Sequence, residues 1–105
     1  MKTVITAAGN NVSAAFDKRF GRAAWFCVYD HANGALAFEK NDFADAQGGA
    51  GTKVSELMVE WGVGKVISGD FGPKAKDLLD RFKVQMVVVE EDATVETLLE
   101  RIKKQ

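Results

Sequence analysis

Residues 63–89, VGKVISGDFGPKAKDLLDRFKVQMVVV, decide the fold class. Val63 to Ser68 is an apolar run of strand length, and Gly69 to Pro73 breaks it with turn-forming residues. Ala75, Leu78, Leu79 and Phe82 then recur at helical spacing, before Val84 to Val89 forms another apolar strand. Strand, helix and strand in that order form a crossover unit. Its two strands lie parallel, with a right-handed connection.

The same rhythm extends in both directions. Downstream, Val95, Leu98, Leu99 and Ile102 predict a third helix with Thr94 at its N-cap. Upstream, Val54, Leu57, Met58 and Trp61 fall at i, i+3, i+4 and i+7, which predicts a helix from about Gly51 to Trp61. The first half reads differently. Val4 to Ala8 is a short apolar run of the kind that fills a strand covered on both faces, and Gly9 to Arg19 is a polar loop. Ala24 to Asp30 and Ala35 to Lys40 are strands joined at Asn33-Gly34, a pair suited to a tight hairpin turn, and Asn41 to Gln47 is a loop. The order β-β-β-α-β-α-β-α predicts an α/β domain with a mixed five-stranded sheet flanked by helices. Val4 to Ala8 is expected at the centre and the hairpin strands to one side. Met58, Trp61, Leu78, Leu79, Leu98 and Leu99 are expected in the core, so Leu78→Ala should cost about 2–5 kcal/mol.

Composition narrows the function. A chain of 105 residues fits one domain spanning residues 1–105. A formal net charge of −1 gives no general attraction to nucleic acid or to an anionic membrane. The N-terminal apolar run is too short for a signal segment or a membrane span, so a cytoplasmic location is expected. Cys27 is the sole cysteine and His31 the sole histidine, which excludes an internal disulfide and a CxxC motif. A single histidine on a hairpin assembles no hydrolytic triad. The first strand carries no carboxylate for two-metal phosphoryl chemistry. An enzyme is therefore not expected.

Four groups of residues remain as candidates. Gly48-Gly49-Ala50-Gly51-Thr52-Lys53 leads into the first helix, where small residues let backbone amides approach an anion. It is not a phosphate-binding P-loop, because only Thr52 separates Gly51 from Lys53 and the loop follows a hairpin. Gly69-Asp70-Phe71-Gly72-Pro73-Lys74 lies at the carboxyl end of a parallel strand, where open α/β sheets bind ligands. Turn geometry alone explains its glycines and Pro73, which leaves Asp70 and Lys74 to ask for more. Arg22, in Phe20-Gly21-Arg22, can grip an anion with a forked guanidinium, although an exposed arginine is usually only solvated. Cys27 and His31 are the soft donors available to a metal, set against the commoner roles of a buried small hydrophobe and an exposed hairpin residue.

Phe20-Gly21-Arg22-Ala23, the aromatic strand ending in Tyr29-Asp30, Gly48 to Gly51 before a helix, and Trp61-Gly62-Val63 leading to Val66-Ile67-Ser68-Gly69 occur here in a fixed order with Gly72-Pro73-Lys74-Ala75 and the closing Thr94-Val95-Glu96 helix. Together they resemble the dinitrogenase iron–molybdenum cofactor biosynthesis family, which includes NifX-like and NafY-like proteins and the C-terminal part of NifB-like proteins. The resemblance covers nearly the whole chain. It implies a ribonuclease H-like fold with strand order 3-2-1-4-5 and no catalysis. The implied role is binding or carrying of iron–molybdenum cofactor, its precursors or another molybdenum- or iron–sulfur cluster. The implied partners are that cofactor and cofactor-assembly proteins, for a monomer or weak oligomer. Gln47 stands where several members carry a histidine, and an amide is a poor ligand for a soft metal. The site expected on this basis gathers Arg22, Gly48, Gly49, Gly51, Lys53, Gly69, Asp70, Gly72 and Lys74, with Cys27 and His31 as possible metal ligands. The alternative from a different class is an adaptor domain using the same edge to bind a protein or small anion.

Overall fold

Strand β1 (Lys2–Ala7) is buried from Thr3 onward, as its apolarity on both faces demands. In the computed structural model, which describes residues 1–104, it runs through the middle of a five-stranded sheet. The strands are ordered β3-β2-β1-β4-β5. Strand β2 (Trp25–Asp30) pairs antiparallel with β1, and β3 (Leu36–Lys40) pairs antiparallel with β2. On the other side β4 (Val63–Ser68) and β5 (Gln85–Val88) are parallel, joined through the crossover of residues 63–89. The mixed sheet and its central strand agree with the sequence reading.

Side chains alternate across β1, so each face acquires its own core. Val4 faces a cluster built with Phe26, Val66, Val54, Met58 and Leu79. The helices over that face are α1 (Ala50–Glu60) and α2 (Pro73–Arg81), which pack side by side. Ile5 and Ala7 face the opposite cluster with Cys27, Ile67, Val95, Leu98 and Ile102, beneath α3 (Val95–Lys103). Each large aliphatic group removed from water in this way stabilises the fold by about 1.5–3 kcal/mol. Polar atoms inside are paired: Thr6 Oγ1 lies 2.7 Å from Ser68 Oγ and donates to the Asp17 carbonyl at 2.5 Å.

Three expectations change. The hairpin does not use a two-residue Asn33-Gly34 turn. Asp30 N donates to Ala35 O at 2.9 Å, so His31 to Gly34 form the loop, and of these residues only Gly34 has positive φ (72°). A two-residue type I′ or II′ turn needs positive φ at its first central residue, and Asn33 does not supply it. The second correction concerns α2, whose inner face holds only Ala75 and Leu79. Leu78 is half-buried and Phe82 is 53% exposed, because a nine-residue helix on the rim of the sheet has one narrow covered face. Leu78→Ala is therefore expected to cost less than about 1 kcal/mol, measured by urea unfolding, instead of a core-sized loss. Third, Trp61 is half-buried, packed on the first cluster with its ring edge-on to Phe26.

The segment between β1 and β2, read as a polar loop, is tied to the sheet and to α3. Asp17 N donates to Thr6 O at 3.0 Å and Phe16 N to Ala93 O at 2.8 Å. This lacing fixes the position of the residues that follow it.

Candidate functional site

The strap of residues 18–22 crosses the carboxyl end of β4. Gly69 N and Asp70 N both donate to Lys18 O, at 3.1 and 2.6 Å, and Phe20 N donates to Asp70 O at 3.2 Å. Phe20 anchors the strap: its ring is fully buried, with its centroid 5.1 Å from that of Phe71. Asn41 secures the other end. Its Nδ2 donates to Gly21 O at 3.0 Å and to Ala23 O at 2.8 Å. Arg22 Nη1 donates to Ala46 O and, at 3.0 Å, to Ala44 O, so the guanidinium also braces the loop before α1.

The strap brings together the starts of α1 and α2. Their N-caps are Gly49 and Gly72, and neither receives a side-chain hydrogen bond. The helical ladders begin with Lys53 N to Gly49 O and Lys76 N to Gly72 O, both at 3.0 Å. The amides of Ala50, Gly51 and Thr52, and of Lys74 and Ala75, precede those bonds and so have no partner within the helix. Helix α3 provides the contrast. Val95 N donates to Ala14 O, Glu96 N to Val12 O, and Thr97 N to Thr94 Oγ1. Its N-terminus is closed by protein, whereas those of α1 and α2 open onto a common space.

That space is a cavity of about 440 Å³. Phe20, Gly21 and Phe71 line it together with the first turns of α1 and α2. Arg19, Arg22 and Lys74 line it, with Asp70 as the one acidic lining residue. Behind the rim, Asp17 accepts from Arg19 N at 3.0 Å and from the guanidinium at 3.1 and 2.9 Å. Burial works to raise the Asp17 carboxyl, but these bonds and the Arg19 charge outweigh it and hold the pKa below the usual range. The balance of full charges and the partial positive charge of two helix starts both favour an anion. Within the cavity lining there is neither thiol nor imidazole.

A model of the family described as dinitrogenase iron–molybdenum cofactor matches residues 1–105. The chain belongs to that family. The fold superposes on the apo form of the orange protein from Desulfovibrio gigas with a TM-score of 0.89 at 30% identity, covering 98% of this chain and 87% of that one. It superposes on a NifB-assigned protein from Thermotoga with a TM-score of 0.83 at 29% identity, with the same 98% and 87% coverage. A third solved structure, 14% identical, has a TM-score of 0.80 over 97% of this chain and 89% of its own, and shares the fold alone. No curated protein sequence matches the chain.

The family resemblance and the residue chemistry pointed to one sheet edge, and the structure gathers part of that set. Arg22, Gly49, Gly51, Asp70, Gly72 and Lys74 line the common cavity. Lys53 does not: its ammonium lies 5.7 Å from the centroid of Phe43, turned to the outer side of α1. Gly48 is exposed in the loop beside Gln47, outside the cavity. Gly69 packs against Lys18, since a Cβ there would lie 2.8 Å from the Lys18 carbonyl oxygen. The potential ligands are also elsewhere. Cys27 is fully buried beneath α3, and among the described residues no cluster of three or more His, Cys, Asp or Glu can hold a metal ion. His31 Nε2 lies 2.7 Å from Thr3 Oγ1, at the opposite end of β2 from the cavity.

Burial of Cys27 has a measurable consequence for this family member. Desolvation pushes the thiol up to about 11 from 9.0, against a small opposing pull from Lys103. The folded state therefore holds the proton more tightly than the unfolded chain. Its stabilising contribution is complete below pH 9 and is lost as pH rises toward 11. In urea unfolding, wild type should lose more stability than Cys27→Ala between those pH values. Native protein should also resist alkylation at neutral pH until it is unfolded.

Arg19 and Ala75 also line the cavity and lie outside the candidate groups read from sequence. Arg19 lay in a stretch read as loop. Its only local signal was the run of charged residues Asp17-Lys18-Arg19, which does not announce a strap.

Proposed function

We propose that this chain is a non-enzymatic carrier, NifX-like in role, for an anionic metal–sulfur cofactor or its precursor. The observation that carries the reading is the cavity onto which two uncapped helix starts open, with Arg19, Arg22 and Lys74 around it. A cluster that brings its own sulfide ligands needs no protein thiol. It can be held by amide hydrogen bonds and by charge, and the donor set of the cavity suits that mode. The family membership and the likeness to the apo form of the orange protein support a cofactor as the cargo. Release to a cofactor-assembly protein is then easier than from a covalently ligated site. The strand order β3-β2-β1-β4-β5 supports a ribonuclease H-like fold. No described helix is long and apolar enough to cross a membrane. The carrier is proposed to work in the cytoplasm, as a monomer or weak oligomer.

The test is anaerobic titration with tetrathiomolybdate, followed by desalting and molybdenum analysis. A stoichiometric complex that dissociates at high salt supports the carrier. A protein that never retains molybdenum at any salt concentration supports an adaptor domain instead.

A further inference from the structure

Most glycines around the cavity have a reason in the fold. Gly49 and Gly72 adopt φ of 69° and 77°, a region costly for any residue with a Cβ. Gly21 must be bare because a Cβ there would lie 2.7 Å from Gly51 N and 3.0 Å from Gly51 Cα. Gly51 has neither reason. It is the second residue of α1, in ordinary helical conformation. A Cβ on it would meet Ala75 Cβ at 3.6 Å and the Phe71 carbonyl oxygen at 3.8 Å, both normal contacts. The fold would accept alanine here, and a helix generally prefers alanine to glycine by up to about 1 kcal/mol. The bare Cα faces α2 across the space between the two helix starts, inside the cavity.

We infer that Gly51 is a specificity-determining residue: its missing side chain leaves room for a bulky anion to touch the α1 backbone in the cleft between α1 and α2. This deepens the carrier reading and rests on it. The occupant belongs to the class of large, sulfur-rich anions. A methyl group at position 51 would hold such an anion away from the amides of Gly51 and Thr52, while a small oxyanion could still approach.

The experiment uses the full chain, with tetrathiomolybdate as the large probe and molybdate as the small one. Gly51→Ala should have a Tm equal to or above that of wild type. It should bind tetrathiomolybdate at least tenfold more weakly, with molybdate affinity changed less than threefold. Equal tetrathiomolybdate affinity in the two proteins would overturn the role of Gly51 and leave the carrier reading standing. A lowered Tm in Gly51→Ala would show that the glycine serves the fold, and would also overturn it. Failure of wild type to bind tetrathiomolybdate at all would overturn both readings. Gly51→Ser supplies a second size increase and should weaken tetrathiomolybdate binding at least as much as alanine does.

Discussion

Replacing Phe20 by alanine is expected to cost about 3–5 kcal/mol in urea unfolding, the range for deleting a buried aromatic ring. The ring is fully buried and packs at a tilt against Phe71, so its removal empties a space between the strap and the start of α2. A domain of this size commonly has only about 5–15 kcal/mol in total, so the loss is a large share of it. The same ring holds Arg19 and Arg22 beside the helix starts, and binding should weaken even where the variant remains folded. Phe20→Leu fills most of the space and should recover much of the stability. A loss below about 1 kcal/mol for Phe20→Ala would mean that the strap is held by its backbone hydrogen bonds alone.

The second large effect is electrostatic. Charge-assisted hydrogen bonds are worth roughly 1.5–3 kcal/mol each, about a tenfold change in affinity or more. Arg22→Ala combined with Lys74→Ala is therefore expected to weaken tetrathiomolybdate binding by about a hundredfold, if the two sites act independently. Lys53→Ala should leave binding unchanged, because its ammonium sits over Phe43 outside the cavity. Asp70→Asn removes the one acidic group in the lining and should tighten binding. Raising the salt concentration should weaken wild type more than the double variant, since screening acts on charges still present. Equal effects of Lys53→Ala and Lys74→Ala would indicate general charge attraction without a defined site.

The parts of the structure legible in sequence are those where one local pattern has one outcome. Residues 63–89 gave two parallel strands and a helix because apolar runs and helical spacing alternate there without ambiguity. Thr94 closes α3 as its position before Val95 suggested, accepting from Thr97 N at 3.2 Å. Leu78 was misjudged because helical spacing marks a stripe and not how much of it the neighbouring layer covers. The hairpin was misjudged because Asn33-Gly34 also suits a longer loop in which only Gly34 is left-handed.

Of the candidate site, the glycine-bearing helix starts were legible, since each is a local signal. The strap was not. It depends on Lys18 O receiving two amides from a segment some fifty residues away, which no periodicity encodes. The same applies to Lys53: it follows Gly51-Thr52 in sequence, yet helical rotation turns it to the outer side of α1.

Backbone amide shifts, followed by ¹⁵N–¹H NMR during anaerobic titration with tetrathiomolybdate, test most directly the claim that two helix starts hold an anion. The largest changes are expected at Ala50, Gly51 and Thr52 and at Lys74 and Ala75, saturating together with one affinity. The amides of Val95, Glu96 and Thr97 should not move, because protein acceptors already occupy them. Changes centred on Cys27 and His31, or on the α3 start in place of α1 and α2, would contradict it.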